Sequence, residues 1–180
     1  MSAIKKTLQH PKADADARRI FQAKIATYKA SGRPIVYIDE SGFAVDTPRT
    51  HGYAPIGERC IDTQDWHAKG RINVIGALIG KLLTTVGLFE QNVDADTFYA
   101  WTTDDLLPKL PANSIIVMDN ATFHKRADIQ TAILEAGHTL EFLPAYSPDL
   151  NSIEHKWAQA KKLRRKLRCT VDELFKENVF

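Results

Sequence analysis

Three acidic residues in the 180-residue chain have the type and placement that phosphoryl transfer on nucleic acid requires. Asp39 closes the apolar run Ile35-Val36-Tyr37-Ile38, and Asp119 closes a second, Ile115-Ile116-Val117-Met118. Glu154 opens a basic, amphipathic stretch. Hard divalent cations such as Mg²⁺ or Mn²⁺ prefer oxygen ligands and keep several waters. Two such ions roughly 3.5–4 Å apart can activate an attacking oxygen and stabilise the leaving one, and clustered carboxylates are needed to hold them. Asp39, Asp119 and Glu154 are therefore the candidate catalytic residues and the candidate ligands of two ions. Each alone has a plainer explanation. An Asp at a strand end is commonly a turn residue, and Asn151 followed by Glu154 has capping-box spacing. A lone His124 is more often a satisfied polar residue than a catalyst.

Bringing the acids together requires two neighbouring strands and a helix, and the chain supplies them in order. Ala13 to Ala30 has helical periodicity at Ala17, Phe21, Ile25 and Tyr28, ended by Ser31-Gly32 and Pro34. It reads as a connector helix within residues 1–32, ahead of a domain spanning 33–180. Strands are expected at Ile35–Asp39, Arg71–Leu78, Leu82–Phe89, Ser114–Asp119 and Thr139–Leu143, with a hairpin at Tyr53–Ile61. Helices are expected at Asp94–Leu107, where Asp94 caps and Phe98, Trp101 and Leu106 turn inward, at His124–Ala136, and from about Asn151 to Leu167. This order implies an α/β domain with a mixed sheet covered by helices on its faces. Ligands in such sheets gather beyond the carboxyl ends of parallel strands, where Asp39 and Asp119 sit.

Charge is distributed unevenly. The net charge is only +2, yet Lys156 to Arg168 carries seven cations and no acid. On a helix, Glu154, Ala158, Lys161 and Arg165 share one stripe, while Ile153, Trp157, Ala160 and Leu167 face the sheet. A solvated face is the common meaning of such a run. Beside an acidic site it is also a track for a phosphate backbone, with Lys156, Lys161, Lys162 and Arg165 as candidate DNA contacts. The two cysteines, Cys60 and Cys169, form no Cys-x-x-Cys pair, which argues against a structural zinc site. No apolar run approaches a membrane span, and no signal-peptide core opens the chain, so a cytoplasmic location is expected.

The segments around the acids resemble the DDE transposases of the mariner superfamily, in particular the bacterial insertion-sequence family numbered 630. Tyr37-Ile38-Asp39-Glu40-Ser41-Gly42-Phe43 is similar to the family's first acidic motif, and Met118-Asp119-Asn120-Ala121-Thr122-Phe123-His124-Lys125 to the second. Leu143-Pro144-Ala145-Tyr146-Ser147-Pro148-Asp149-Leu150-Asn151-Ser152-Ile153-Glu154-His155-Lys156-Trp157 is similar to the third and is the most specific. Gly52-Tyr53-Ala54-Pro55-Ile56-Gly57 matches a feature that follows the first acid, and 34 residues separate Asp119 from Glu154, as in the family. Ser152 departs from the pattern, since many relatives carry proline there.

The resemblance covers about residues 33–168. It implies an RNase H-like, retroviral-integrase-like fold with a five-stranded sheet, the first acid on the first strand, the second on the adjacent fourth strand and the glutamate on a later helix. It implies metal-dependent hydrolysis at transposon ends and transfer of the freed 3′-hydroxyl into target DNA at a TA dinucleotide. Asn120, His124 and Asn151 become candidate supporting residues. Double-stranded DNA is the expected partner, as transposon ends and as target, with a homodimer in the active complex. Only about 32 residues precede the first strand, so the helix-turn-helix region of such transposases is expected to be encoded separately, joined by frameshifting, or removed. The expected location becomes the bacterial nucleoid.

Three other functions are compatible with the same residues. One is a catalytically silent fragment that binds DNA or pairs with a full transposase. Another is an RNase H-like nuclease without strand transfer. The third is a small-molecule phosphatase with Asp39 as nucleophile, disfavoured because Ser41 stands where that chemistry wants a second acid.

Overall fold

Five strands form one mixed sheet in the order β3-β2-β1-β4-β5. They are β1 (Ile35–Ala44), β2 (Arg71–Ile79), β3 (Leu82–Phe89), β4 (Ile115–Met118) and β5 (Thr139–Phe142). The computed structural model describes residues 11–45 and 70–177, and the expected hairpin at Tyr53–Ile61 lies outside them, as does Cys60. β1, β2 and β3 pair antiparallel as a meander, whereas β1–β4 and β4–β5 are parallel.

Alternation along β1 builds two cores. Ile35, Tyr37 and Phe43 face the layer made by α1 (Ala15–Ala30), α4 (Glu154–Leu167) and α5 (Val171–Glu177), where Phe21, Ile25, Ile153, Trp157 and Leu174 are buried. Val36 and Ile38 face the opposite layer, where α2 (Ala95–Ala100) and α3 (Ala127–Glu135) contribute Phe98, Ile129 and Ile133. Each such side chain contributes roughly 1.5–3 kcal/mol when fully buried. The period of two also fixes the next residues: Asp39 falls on the α4 side and Glu40 on the α3 side.

Several expected boundaries shift, each for a local reason. β1 does not stop at Asp39 but runs to Ala44, because β2 pairs with it as far as Ala44↔Arg71. Its parallel ladder with β4 ends at Tyr37↔Val117, so Asp39 still lies just past the end of that ladder. The helix capped by Asp94 changes after α2 into a π-helical turn, Trp101–Leu106, which brings Trp101 and Leu106 both inside. The segment expected as one helix from His124 is a 3₁₀ turn, Thr122–Lys125, followed by α3.

α4 begins at Glu154 rather than near Asn151, which places Glu154 in the first position of the helix and not one turn in. Leu167 is half exposed, and Arg164 takes the buried place expected of it. The Arg164 guanidinium donates to the carbonyls of Ala44, Val45 and Cys169, closing the end of β1. α5 was not expected, although Thr170 and Glu173 form a reciprocal capping box at its start (3.2 and 2.8 Å). No helix among the described residues is long and apolar enough to cross a membrane.

Candidate active site

Asp39, Asp119 and Glu154 line one cavity of about 350 Å³ at the end of the β1–β4 ladder. Its wall is the connection from β5 to α4, including Pro144, Tyr146 and Pro148, and its floor includes Asn120 and Asn151. All three sequence-predicted acids and two of the three predicted supporting residues therefore meet in one place.

Each acid is held by different local structure. The Asp39 carboxylate accepts a hydrogen bond from Trp157 Nε1 (3.1 Å). Burial pushes its carboxyl up to about 7, and the neighbouring carboxylates Glu154, Glu40 and Asp119 push in the same direction. Asp119 sits just past β4, where its Oδ1 accepts from the Ala121 amide (2.8 Å) and contacts His124 Nδ1 (2.7 Å). The His124 hydrogen bond holds the Asp119 carboxyl below the usual range despite its partial burial. Glu154 stands exposed at the first turn of α4, where the helix dipole favours negative charge.

The supporting residues tie these pieces together. Asn151 is buried; it donates through Nδ2 to the Ile38 carbonyl (3.4 Å) and accepts at Oδ1 from the Ile153 amide (3.4 Å). It thus joins the start of α4 to the residue before Asp39. Asn120 donates to the Leu143 carbonyl, joining the Asp119 loop to the end of β5. His124 is fully buried between the rings of Phe98 and Phe123 (centroids 4.5 and 4.3 Å away). Its Nε2 reaches Glu40 Oε1 (2.9 Å), so the ring bridges Glu40 and Asp119. Burial alone would lower its pKa, but the hydrogen bonds to Asp119 and Glu40 outweigh that and hold it at about 9.

Sequence reasoning missed Glu40, the indole bond to Asp39, and Gly76. Glu40 was signalled by strand alternation: a carboxylate next to Asp39 must face the buried α3 layer, where it needs a partner. Gly76 pairs with Asp39 across β1–β2. A Cβ there would lie 2.5 Å from the tip of the Trp157 ring. Glycine is thus the slot that lets the indole lie over β2 and reach Asp39. Gly76→Ala is expected to overpack this buried contact, costing about 1–3 kcal/mol, and to shift Trp157. Denaturant unfolding with tryptophan fluorescence checks this, and wild-type stability with an unchanged emission spectrum would refute the slot.

The four cations expected to contact DNA lie along α4. Lys161, Lys162 and Arg165 are exposed and Lys156 is half-buried. Glu154, Ala158, Lys161 and Arg165 form the exposed stripe expected of them. Lys161 Nζ also rests 5.4 Å from the centre of the Phe43 ring.

The donor set suits a hard divalent cation. Three carboxylates border one cavity, and burial, together with the charges of Glu154, Glu40 and Asp119, disfavours the ionised form of Asp39, which a bound cation would favour. Among the described residues, no three Asp, Glu, His or Cys side chains stand close enough together to hold a metal ion as they are placed. The arrangement is an open rim, with Asp39 and Asp119 still engaged by Trp157 and His124. An open rim fits Mg²⁺, which keeps several of its waters.

The family of DDE superfamily endonucleases matches residues 34–174. No curated protein matches the chain by sequence. Among solved structures, the Mos1 strand transfer complex superposes with a TM-score of 0.70 at 18% identity, over 98% of this chain and 56% of that one. The mariner Mos1 paired-end complex with Mg gives 0.61 at 17% identity, over 97% and 61%. The catalytic domain of Mos1 mariner transposase gives 0.62 at 15% identity, over 95% and 82%. The fold is the RNase H-like fold of that catalytic domain, and the chain spans little more than half of the Mos1 chains in the complexes.

Proposed function

The chain belongs to the DDE superfamily endonucleases, and from that premise we propose that it is the catalytic part of a DNA transposase, with Asp39, Asp119 and Glu154 as its acidic triad. The observation that carries this reading is the single cavity bordered by all three carboxylates at the end of the β1–β4 ladder. Two Mg²⁺ or Mn²⁺ ions bound there would activate the attacking water and stabilise the leaving oxygen. Asp39 and Asp119 come from neighbouring strands and Glu154 from α4, so each approaches the cavity from its own element. His124 holds Asp119, Trp157 holds Asp39, and Asn151 joins the start of α4 to β1.

In the first reaction, water attacks the phosphorus at a transposon end, the bond to the 3′ oxygen breaks, and a 3′-hydroxyl is released. In the second, that hydroxyl attacks a phosphodiester of target DNA and displaces a target 3′-hydroxyl, so no external energy is needed. The similarity of the three motifs to the insertion-sequence family numbered 630 supports a TA target, a helix-turn-helix part that reads the transposon ends, and a nucleoid location. Joining two ends supports a homodimer in the active complex. Residues 33–180 form the proposed catalytic unit.

The exposed stripe Lys161 and Arg165, with Lys156 and Lys162 beside it, is the proposed track for the phosphate backbone. The test is nicking of a DNA duplex by the purified chain in Mn²⁺. Asp119→Asn is expected to abolish nicking while the protein stays folded. Lys161→Ala is expected to weaken DNA binding and flatten the salt dependence by about one phosphate contact. Nicking that survives in Asp119→Asn would refute the triad, and an unchanged salt slope would remove Lys161 from the track.

A further inference from the structure

α1 lies wholly before the residues matched to the family, yet it grips the segment that walls the cavity at both of that segment's ends. At one end, the buried Arg18 guanidinium pairs with Asp149, Nη1 to Oδ1 at 2.9 Å and Nη2 to Oδ2 at 2.7 Å. Asp149 is the centre of the 3₁₀ turn Pro148–Leu150, and Asn151 follows it directly. At the other end, Tyr28 Oη donates to Glu141 Oε1 (2.7 Å) and Lys24 Nζ pairs with Glu141 Oε2 (3.1 Å), on β5. Between Glu141 and Asp149 lie Leu143, Pro144, Ala145, Tyr146, Ser147 and Pro148, all of which line the cavity.

The Arg18 pair is the directional half of this grip. Two parallel hydrogen bonds fix the relative plane of guanidinium and carboxylate, which a lysine could not do. A buried guanidinium without its partner is strongly unfavourable, so α1 and the turn must be placed together. The helix itself is anchored independently, since Phe21 and Ile25 are buried in the core beside α4 and α5.

We propose that Arg18 is a positioning residue for the acidic site: through Asp149 it sets the loop of residues 143–153, and with it Asn151 and Glu154, so that α1 is a clamp on the site and not a spacer. The catalytic consequence rests on the function proposed above, whereas the clamp does not.

The test is hydrogen–deuterium exchange on the full chain, comparing wild type with Arg18→Met, Asp149→Asn, the double variant and Arg18→Lys. Arg18→Met is expected to speed exchange across residues 143–153 by about tenfold while the β1–β2 amides keep wild-type rates. Asp149→Asn should do the same, the double variant should add little to either, and Arg18→Lys should restore part of the protection. In the nicking assay, the Mn²⁺ concentration for half-maximal rate should rise about fivefold or more, with the KM for DNA within about twofold. Unchanged loop exchange, or faster exchange spread evenly over the sheet, would overturn the clamp, as would fully additive effects in the double variant. Should the wild-type chain fail to nick DNA at all, the proposed function falls while the exchange result still decides the clamp. Asp149→Asn reads the same pair from its more exposed side should Arg18→Met fail to fold.

Discussion

Asp39→Asn is expected to abolish nicking and, at the same time, to make the metal-free protein more stable. The Asp39 carboxyl is pushed up to about 7 by burial and by Glu154, Glu40 and Asp119. A carboxyl titrates near 3.9 in an unfolded chain. The folded state therefore binds the Asp39 proton more tightly, and this residue makes stability fall as pH rises from about 4 to about 7. Above that range the penalty is fully present. Asparagine carries no charge and keeps an oxygen for Trp157 Nε1, so it removes the penalty without losing the bond. Allowing for partial exposure, the gain at pH 8 should be on the order of 2 kcal/mol and should vanish near pH 4. Melting curves at the two pH values check it. Mn²⁺ should raise the melting temperature of the wild type and leave the variant unmoved. A less stable variant at pH 8 would show that the Asp39 charge carries no penalty, and one that still nicks DNA would remove Asp39 from the triad.

His124→Ala should be the most damaging single change to the fold around the site. The ring is fully buried and bridges Glu40 and Asp119. Removing it leaves two carboxylates facing each other across a void, at a cost of about 3–5 kcal/mol. With its folded pKa at about 9, above the unfolded value of 6.5, the histidine contributes fully below about pH 6.5. That contribution is lost as pH rises through about 9. The wild type should therefore lose stability across this window, and the alanine variant should lack that slope. Asp119 also loses the partner that orients it, and nicking should fall about 10–100-fold, as is usual for residues behind a metal ligand. Equal stability at pH 6, or the same slope in both proteins, would refute the bridge.

The two central strands were readable because Ile35–Ile38 and Ile115–Met118 are unbroken apolar runs, which leave little freedom in strand assignment. The acids were readable because both of those runs are followed directly by Asp. What the sequence hid are contacts decided by packing between distant segments. Nothing in Trp157 itself says that its indole, expected on the sheet-facing side, would also satisfy Asp39; that needs Gly76 opposite Asp39 on β2. The start of α4 was misread because Asn151 looked like a cap, whereas its amide is spent on the Ile38 carbonyl and the helix begins three residues later. Leu167 was assigned inward by helical spacing alone. Arg164 took that place because the end of β1 offers it two free carbonyls. Glu40 and the Arg18–Asp149 pair were open to inference, since a charge sent into a buried layer needs an opposite charge or a hydrogen bond.

The Gly76 slot also makes the sheet self-checking. A strand that slips by one residue against its neighbour turns every side chain to the other face. On β2 such a slip would set Ile75 or Ala77 opposite Asp39, and either side chain would fill the space that the Trp157 ring occupies. The indole could then neither seat nor reach the first acid. A misaligned sheet would therefore be both poorly packed and chemically inert, so assembly errors in this chain would be silenced before they could cut DNA.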